Sequence, residues 1–253
     1  MIDAHAHLLN EKYDGNAVIS SMQDDKLDCI VNIGTDVADS AAGAELAKRN
    51  KNVFSTAGIH PEYADKTTDA DLKIIDELAS RPKVVAIGEI GLDYHYGADE
   101  MQKQKQKWLF AKQIKIASKH GLPIVIHCRD AADDVLEILR ENKHLLGGGV
   151  VMHCYSEGAR YVKDFAELGC YFSFTGNITF KKVDRSFLKD IAKNKIMVET
   201  DAPWLSPEPL RGTINYPKNV WLTAQKIADE LCMPLDEFDK IATSNTKKFY
   251  NLP

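Results

Sequence analysis

Met1-Ile2-Asp3-Ala4-His5-Ala6-His7 opens the chain. An apolar start followed by two histidines two residues apart reads as a β-strand that turns His5 and His7 to the same face. Two imidazoles side by side at a strand end form half of a divalent-metal site. Outward from this stretch one pattern recurs: a short β-rich run, a polar residue at its end, then a helical stretch. Residues 29–34, 53–59, 84–89, 124–127, 150–153, 170–175 and 196–201 read as further strands. Helical patterns cover 16–23, 38–49, 69–80, 101–119, 131–141, 159–168, 185–193, 220–231 and 235–249. Leu72, Ile75, Leu78 and Ala79 make one apolar face, and Gly121 and Pro123 end the longest helix. Eight strands alternating with helices predict an α/β fold, a (β/α)8 TIM barrel, with one domain over residues 1–253. A doubly wound sheet of similar content is the alternative. No GxGxxG follows the first strand, which weighs against a dinucleotide-binding version.

The 253 residues are 44% hydrophobic and 27% charged, enough for a sizeable core. The formal net charge of -5 excludes a globally basic nucleic-acid surface. A polyanionic substrate must then be held locally, by metal and a few cations. The five cysteines are odd in number and contain no CxxC pair, so neither a disulfide framework nor a structural zinc finger is expected. Reduced cysteines in a cytoplasmic protein are the simpler reading. No signal peptide and no membrane-spanning run is expected.

Catalytic groups of such barrels lie at the C-terminal ends of the strands. Those ends carry His5, His7, His60, Glu89, His127, His153 and Asp201, whereas His95, His120 and His144 fall in loops or at helix ends. Strand alternation sends Cys128 and Cys154 away from their histidine neighbours, toward the surrounding helices, as small apolar groups. A buried, unpaired Glu89 is costly; a metal pair bridged by its two oxygens removes that cost. Asp201 suits a ligand that also takes a proton from bound water, and Glu199, on the same face, suits support of another ligand. Histidine-rich ligation favours zinc, manganese, iron or nickel over an all-oxygen magnesium site. His5, His7, Glu89, His127, His153 and Asp201 are too many for one tetrahedral ion. Two divalent ions about 3.5–4 Å apart, activating a hydroxide, fit better. No GxSxG nucleophile is present. His60 suits a polar substrate-facing role. Arg129 shares the face of His127, and its planar fork matches phosphate. Arg211 and Lys218 lie in the loop after the last strand, and Trp204 either stacks on a substrate ring or packs that loop.

Six stretches taken together (Asp3-Ala4-His5-Ala6-His7-Leu8, Gly58-Ile59-His60-Pro61, Gly88-Glu89-Ile90-Gly91-Leu92-Asp93, Ile126-His127-Cys128-Arg129, His153-Cys154-Tyr155-Ser156 and Glu199-Thr200-Asp201-Ala202-Pro203) resemble the TatD family of metal-dependent deoxyribonucleases, within the amidohydrolase superfamily. The resemblance runs over nearly the whole chain in the family's order. It implies that His5, His7, Glu89, His127, His153 and Asp201 are the metal ligands. It makes Glu89 the bridge where many superfamily relatives use a carboxylated lysine, and Asp201 the general base. It places Arg129 and Arg211 near the scissile phosphate. The implied activity is hydrolysis of DNA phosphodiesters from the 3′ end, with DNA as substrate and no obligate protein partner. Hydrolysis of a small amide, lactone or phosphoester at the same site is the alternative reading.

Overall fold

The computed structural model describes residues 1–253. Eight parallel strands pair in chain order: β1 (Ile2–Ala6), β2 (Cys29–Asn32), β3 (Val53–Ala57), β4 (Val84–Asp93), β5 (Ile124–Arg129), β6 (Val150–Met152), β7 (Tyr171–Phe174) and β8 (Ile196–Val198). The last strand meets the first where Asp201 N donates to His5 O (2.9 Å) and His7 N donates to Ala202 O (2.8 Å). Buried Asp3 reinforces this seam by accepting from Thr200 N (2.9 Å) and Thr200 Oγ1 (2.5 Å). The result is a TIM barrel, as the alternation of strands and helices predicts.

The helices are α1 (Gly15–Ser21), α2 (Val37–Arg49), α3 (Asp69–Leu78), α4 (Glu100–His120), α5 (Ala132–Glu141), α6 (Ala159–Glu167), α7 (Val220–Glu230) and α8 (Leu235–Tyr250). Leu72, Ile75, Leu78 and Ala79 of the α3 region are all buried, as their spacing requires. Every strand contributes to a 13-residue cluster inside the barrel, including Ile2, Val31, Phe54, Ala86, Val125, Val151, Tyr171 and Met197. Phe249 and Tyr250 at the end of α8 join it, and Tyr250 Oη donates to Ala4 O at 3.0 Å. The N-terminal end of the barrel is thereby plugged. A larger cluster of 54 residues fills the layer between strands and helices.

Three expectations change. The 185–193 stretch is not an α-helix but two short 3₁₀ segments, Ser186–Asp190 and Lys193–Lys195. Phe187, Leu188 and Ile191 are all buried there, so the apolar residues still face the core. The Arg185 side chain also draws the carbonyls of Ile178, Phe180 and Val183 into the loop. Second, β4 does not stop at Glu89 but continues to Asp93, which brings a further carboxylate to the mouth. Third, β3 ends at Ala57, so His60 lies beyond the strand. There it precedes the 3₁₀ turn Pro61–Tyr63 and accepts from Glu62 N through Nδ1 at 3.2 Å.

Gly91 is a local requirement of this arrangement. It lies opposite His127 in the β4–β5 ladder. Its φ is +140°, and an added Cβ would sit 2.0 Å from His127 O. Gly91→Ala therefore combines a strained backbone with overpacking against a candidate ligand. Each effect costs roughly 1–3 kcal/mol. Urea unfolding is expected to show a loss of about 3 kcal/mol; a loss within about 0.5 kcal/mol would show that the strand relaxes freely.

Candidate metal centre

The C-terminal mouth of the barrel holds a cavity of about 690 Å³ lined by His7, His60, Glu89, His127, His153 and Asp201, among others. His5 lies beneath it, fully buried. The ligand-type atoms fall into groups whose members lie within 4.8 Å of one another. One group is His5, His7 and Asp201; another is His60, Glu89 and His127. His5 Nε2 is 3.3 Å from His7 Nε2 and 3.4 Å from both Asp201 Oδ1 and Glu89 Oε2. His7 Nε2 is 3.2 Å from Asp201 Oδ1. Glu89 joins the groups: its Oε1 meets His127 Nδ1 at 2.7 Å, His153 Nε2 at 3.4 Å and His60 Nε2 at 3.8 Å.

Which nitrogen of each ring faces the cluster follows from what holds the other one. His153 Nδ1 is 2.7 Å from Glu199 Oε1, leaving Nε2 for the cluster. His127 Nε2 is 3.0 Å from Asp93 Oδ2, leaving Nδ1. A carboxylate that fixes the far nitrogen of an imidazole is the usual support of a metal-binding histidine. Glu199 accepts three bonds, from His153, Cys154 N (2.7 Å) and Ser173 Oγ (2.6 Å), so it orients His153 rather than facing the cavity.

The residues present fit a divalent cation. A ring nitrogen carries at most one proton, which can serve only one of the three acceptor-type atoms crowding His5 Nε2. His5 Nδ1 is buried with no partner at all. A cation among these atoms would accept all their lone pairs at once. The charge state agrees. Burial opposes ionisation of Glu89, but His153, His127 and His5 outweigh it and hold the carboxyl well below its usual range. Asp201 is likewise lowered against burial, chiefly by the His7 bond and the His153 charge. Burial pulls His127 down, yet Asp93 and Glu89 raise it to about 9. His153 rises to about 10 against burial through Glu199 and Glu89. His60, by contrast, is driven down to about 4 by burial and by neighbouring His127. Anionic carboxylates already compensated by positive charge suit a site in which a metal ion displaces ring protons on binding.

The cavity contains most of the sequence-selected residues, with exceptions. Arg129 lines it, exposed, with its guanidinium 5.4 Å from the centre of the Tyr96 ring. Arg211 does not line it; its guanidinium lies 4.2 Å over Phe180. Trp204 does line it, edge-on to His7 at 4.9 Å. Cys128 packs against the helix layer as expected and also reaches the rim. Cys154 departs from expectation. β6 stops at Met152 and Cys154 takes φ +45°, so alternation no longer applies. Its thiol lines the cavity, 3.3 Å from Thr175 Oγ1. Of the eight non-glycine residues with positive φ, Asp130, Cys154, Asp201 and Leu205 line this one cavity. Such backbone persists only where surroundings impose it. Asp93 and Asp3 are the supporting residues that sequence reasoning missed. Asp93 lay in a quoted motif, four residues and hence one strand face from Glu89.

Comparison with known proteins gives a consistent answer. The family model described as "TatD related DNase" matches residues 2–251. The uncharacterized metal-dependent hydrolase YabD of Bacillus subtilis (strain 168) is 38% identical over 256 residues, covering 100% of this chain and 99% of that protein. The uncharacterized metal-dependent hydrolase YcfH of Escherichia coli (strain K12) is 30% identical, covering 100% and 96%. Among solved structures, the TatD homologue YJJV of Escherichia coli K12 superposes with a TM-score of 0.92 at 26% identity, covering 100% of this chain and 98% of that one.

Proposed function

Because the chain belongs to the TatD-related DNase family, we infer that it is a metal-dependent hydrolase that cleaves DNA phosphodiesters, acting from the 3′ end. The observation that carries this reading is the joining of two ligand groups, His5–His7–Asp201 and His60–Glu89–His127, through the two oxygens of Glu89. His5, His7, Glu89, His127, His153 and Asp201 would hold two divalent ions. His60, 3.8 Å from Glu89, sits closer to this set than a purely substrate-facing role requires. Zinc, manganese, iron, nickel or magnesium held there would acidify bound water and polarise the phosphate.

The chain's own residues do the rest. The Asp201 carboxylate takes the proton of the attacking water. Asp93 and Glu199 fix the rings of His127 and His153. The Arg129 guanidinium offers a charge-assisted contact to a non-bridging phosphate oxygen. Tyr96 and Trp204 stand at the same cavity, where aromatic rings can stack against unpaired bases. Arg211 lies off the cavity and is left without a substrate contact.

A second reading, hydrolysis of a small amide, lactone or phosphoester, draws support from the net charge of -5 and from Arg129 being the only lysine or arginine lining the cavity. One experiment separates the two. The protein is assayed on a 3′-labelled single-stranded oligonucleotide, with chelator, with added Mn²⁺ and across a salt series. The DNA reading expects nuclease activity lost to chelator, restored by Mn²⁺ and falling as salt rises. Metal-loaded protein that leaves the oligonucleotide intact while hydrolysing small esters at a salt-independent rate would overturn it.

A further inference from the structure

Cleavage of a phosphodiester needs a proton acceptor for the incoming water and a proton donor for the departing sugar oxygen. Asp201 serves the first need. We propose that His95, oriented by Asp130, is the proton donor to the leaving sugar oxygen; this rests on the phosphodiester reading above.

Both residues line the mouth cavity yet belong to none of the three ligand groups. His95 comes from the loop after β4 and Asp130 from the turn after β5. His95 Nδ1 is 2.7 Å from Asp130 Oδ2. A carboxylate accepts, so Nδ1 carries one proton; Nε2 takes up a second from solvent, and the Nε2 proton of that imidazolium is the one donated. A ring fixed in this way by a carboxylate is the arrangement of an oriented acid–base histidine. The pair is tied to the candidate metal centre through Asp93. One oxygen of Asp93 accepts from His95 N at 2.9 Å and the other faces His127 Nε2 at 3.0 Å. The same carboxylate therefore positions a ligand and the segment that presents His95. Asp130 is held at φ +55°.

Several other groups of the cavity are already used or unsuited. His127 and His153 have carboxylates on both ring nitrogens. Arginine does not release its proton, and burial pushes the Cys128 and Cys154 thiols up. His95, with its side chain 44% exposed, can reload from solvent after each turnover. The step balances: the water oxygen–phosphorus bond forms as the phosphorus–sugar oxygen bond breaks. The water's proton passes to Asp201, and the Nε2 proton of His95 passes to the sugar oxygen. Nothing is oxidised or reduced.

The test compares two substrates of one chemistry and different leaving groups. A DNA oligonucleotide releases a sugar alkoxide, which needs a proton; the p-nitrophenyl ester of thymidine 5′-monophosphate releases p-nitrophenolate, which departs without one. The readout is the ratio of kcat/KM on DNA to that on the ester, with metal content measured in parallel. His95→Gln is expected to lower the ratio about 100-fold at unchanged metal content. Asp130→Asn, which keeps a side chain that tolerates positive φ, is expected to shift it in the same direction by less. A ratio that stays within about threefold of wild type in both variants overturns the assignment, whether the two rates fall together or not at all. A wild-type protein that cleaves neither substrate overturns the phosphodiester reading, and the donor with it.

Discussion

Asp201→Asn is expected to lower turnover on DNA at least 1,000-fold while the protein stays folded. A general base alone accounts for roughly 10²–10⁴ in rate, and Asp201 has a second task. Its Oδ1 lies 3.2 Å from His7 Nε2 and 3.4 Å from His5 Nε2, so the substitution also removes a negative charge from the group that would hold one ion. Asparagine keeps the size and, like aspartate, tolerates the φ of +55° at this position. The backbone bonds that close the barrel, Asp201 N to His5 O and His7 N to Ala202 O, need no side chain. Circular dichroism and a urea transition near wild type, with kcat at or below one thousandth, is the predicted pair of results. Turnover within tenfold of wild type would remove Asp201 from the proton-accepting role.

Glu89→Gln is the second substitution with a large expected effect, and it reads a different property. Glu89 touches His5, His127, His153 and His60, and so meets both ligand groups. An amide offers one acceptor oxygen in place of two and no charge. Equilibrium dialysis followed by elemental analysis is expected to show at least one fewer bound ion per chain, with turnover reduced at least 1,000-fold. Stability changes as well. Without metal, Glu89 compensates the charge of His127 and His153, and breaking a buried pair from one side costs about 3–5 kcal/mol. The metal-free variant should therefore unfold at lower urea than the metal-free parent. Full metal occupancy in Glu89→Gln would show that the carboxylate does not bridge.

Much of this was legible in the sequence for a physical reason. Barrel strands present side chains to two faces in alternation, so His5 and His7 could be assigned to a common face before any coordinates; Glu199 and Asp201 lie past the end of β8, and only Asp201 lines the cavity. The strand–helix alternation gave the barrel, and the sorting of five histidines to strand ends gave the site. Legibility stopped where alternation stopped. Cys154 was expected to point toward the helices and instead lines the cavity, because β6 ends at Met152 and the chain turns through φ +45°. The 185–193 stretch looked helical because its apolar residues are dense, yet it folds as two 3₁₀ segments, and the Arg185 side chain at its start bonds carbonyls of the preceding loop. Asp93 needed the knowledge that β4 runs on past Glu89. His95 and Asp130 are 35 residues apart in sequence, and only the packing of two loops at the mouth makes them a pair. Arg211 was expected near the phosphate from its place in the loop after the last strand and from the resemblance, but its guanidinium lies over Phe180, and loop paths are not set by periodicity.

The most direct measurement is diffraction from crystals equilibrated with Mn²⁺ or Zn²⁺, recorded at the metal's absorption edge. Two anomalous peaks are predicted at the barrel mouth, one among His5, His7 and Asp201 and one beside His127 and His153, with Glu89 reaching both and ligand distances of about 2.0–2.3 Å. A map with no peak within coordination distance of Glu89 would contradict the account at its centre.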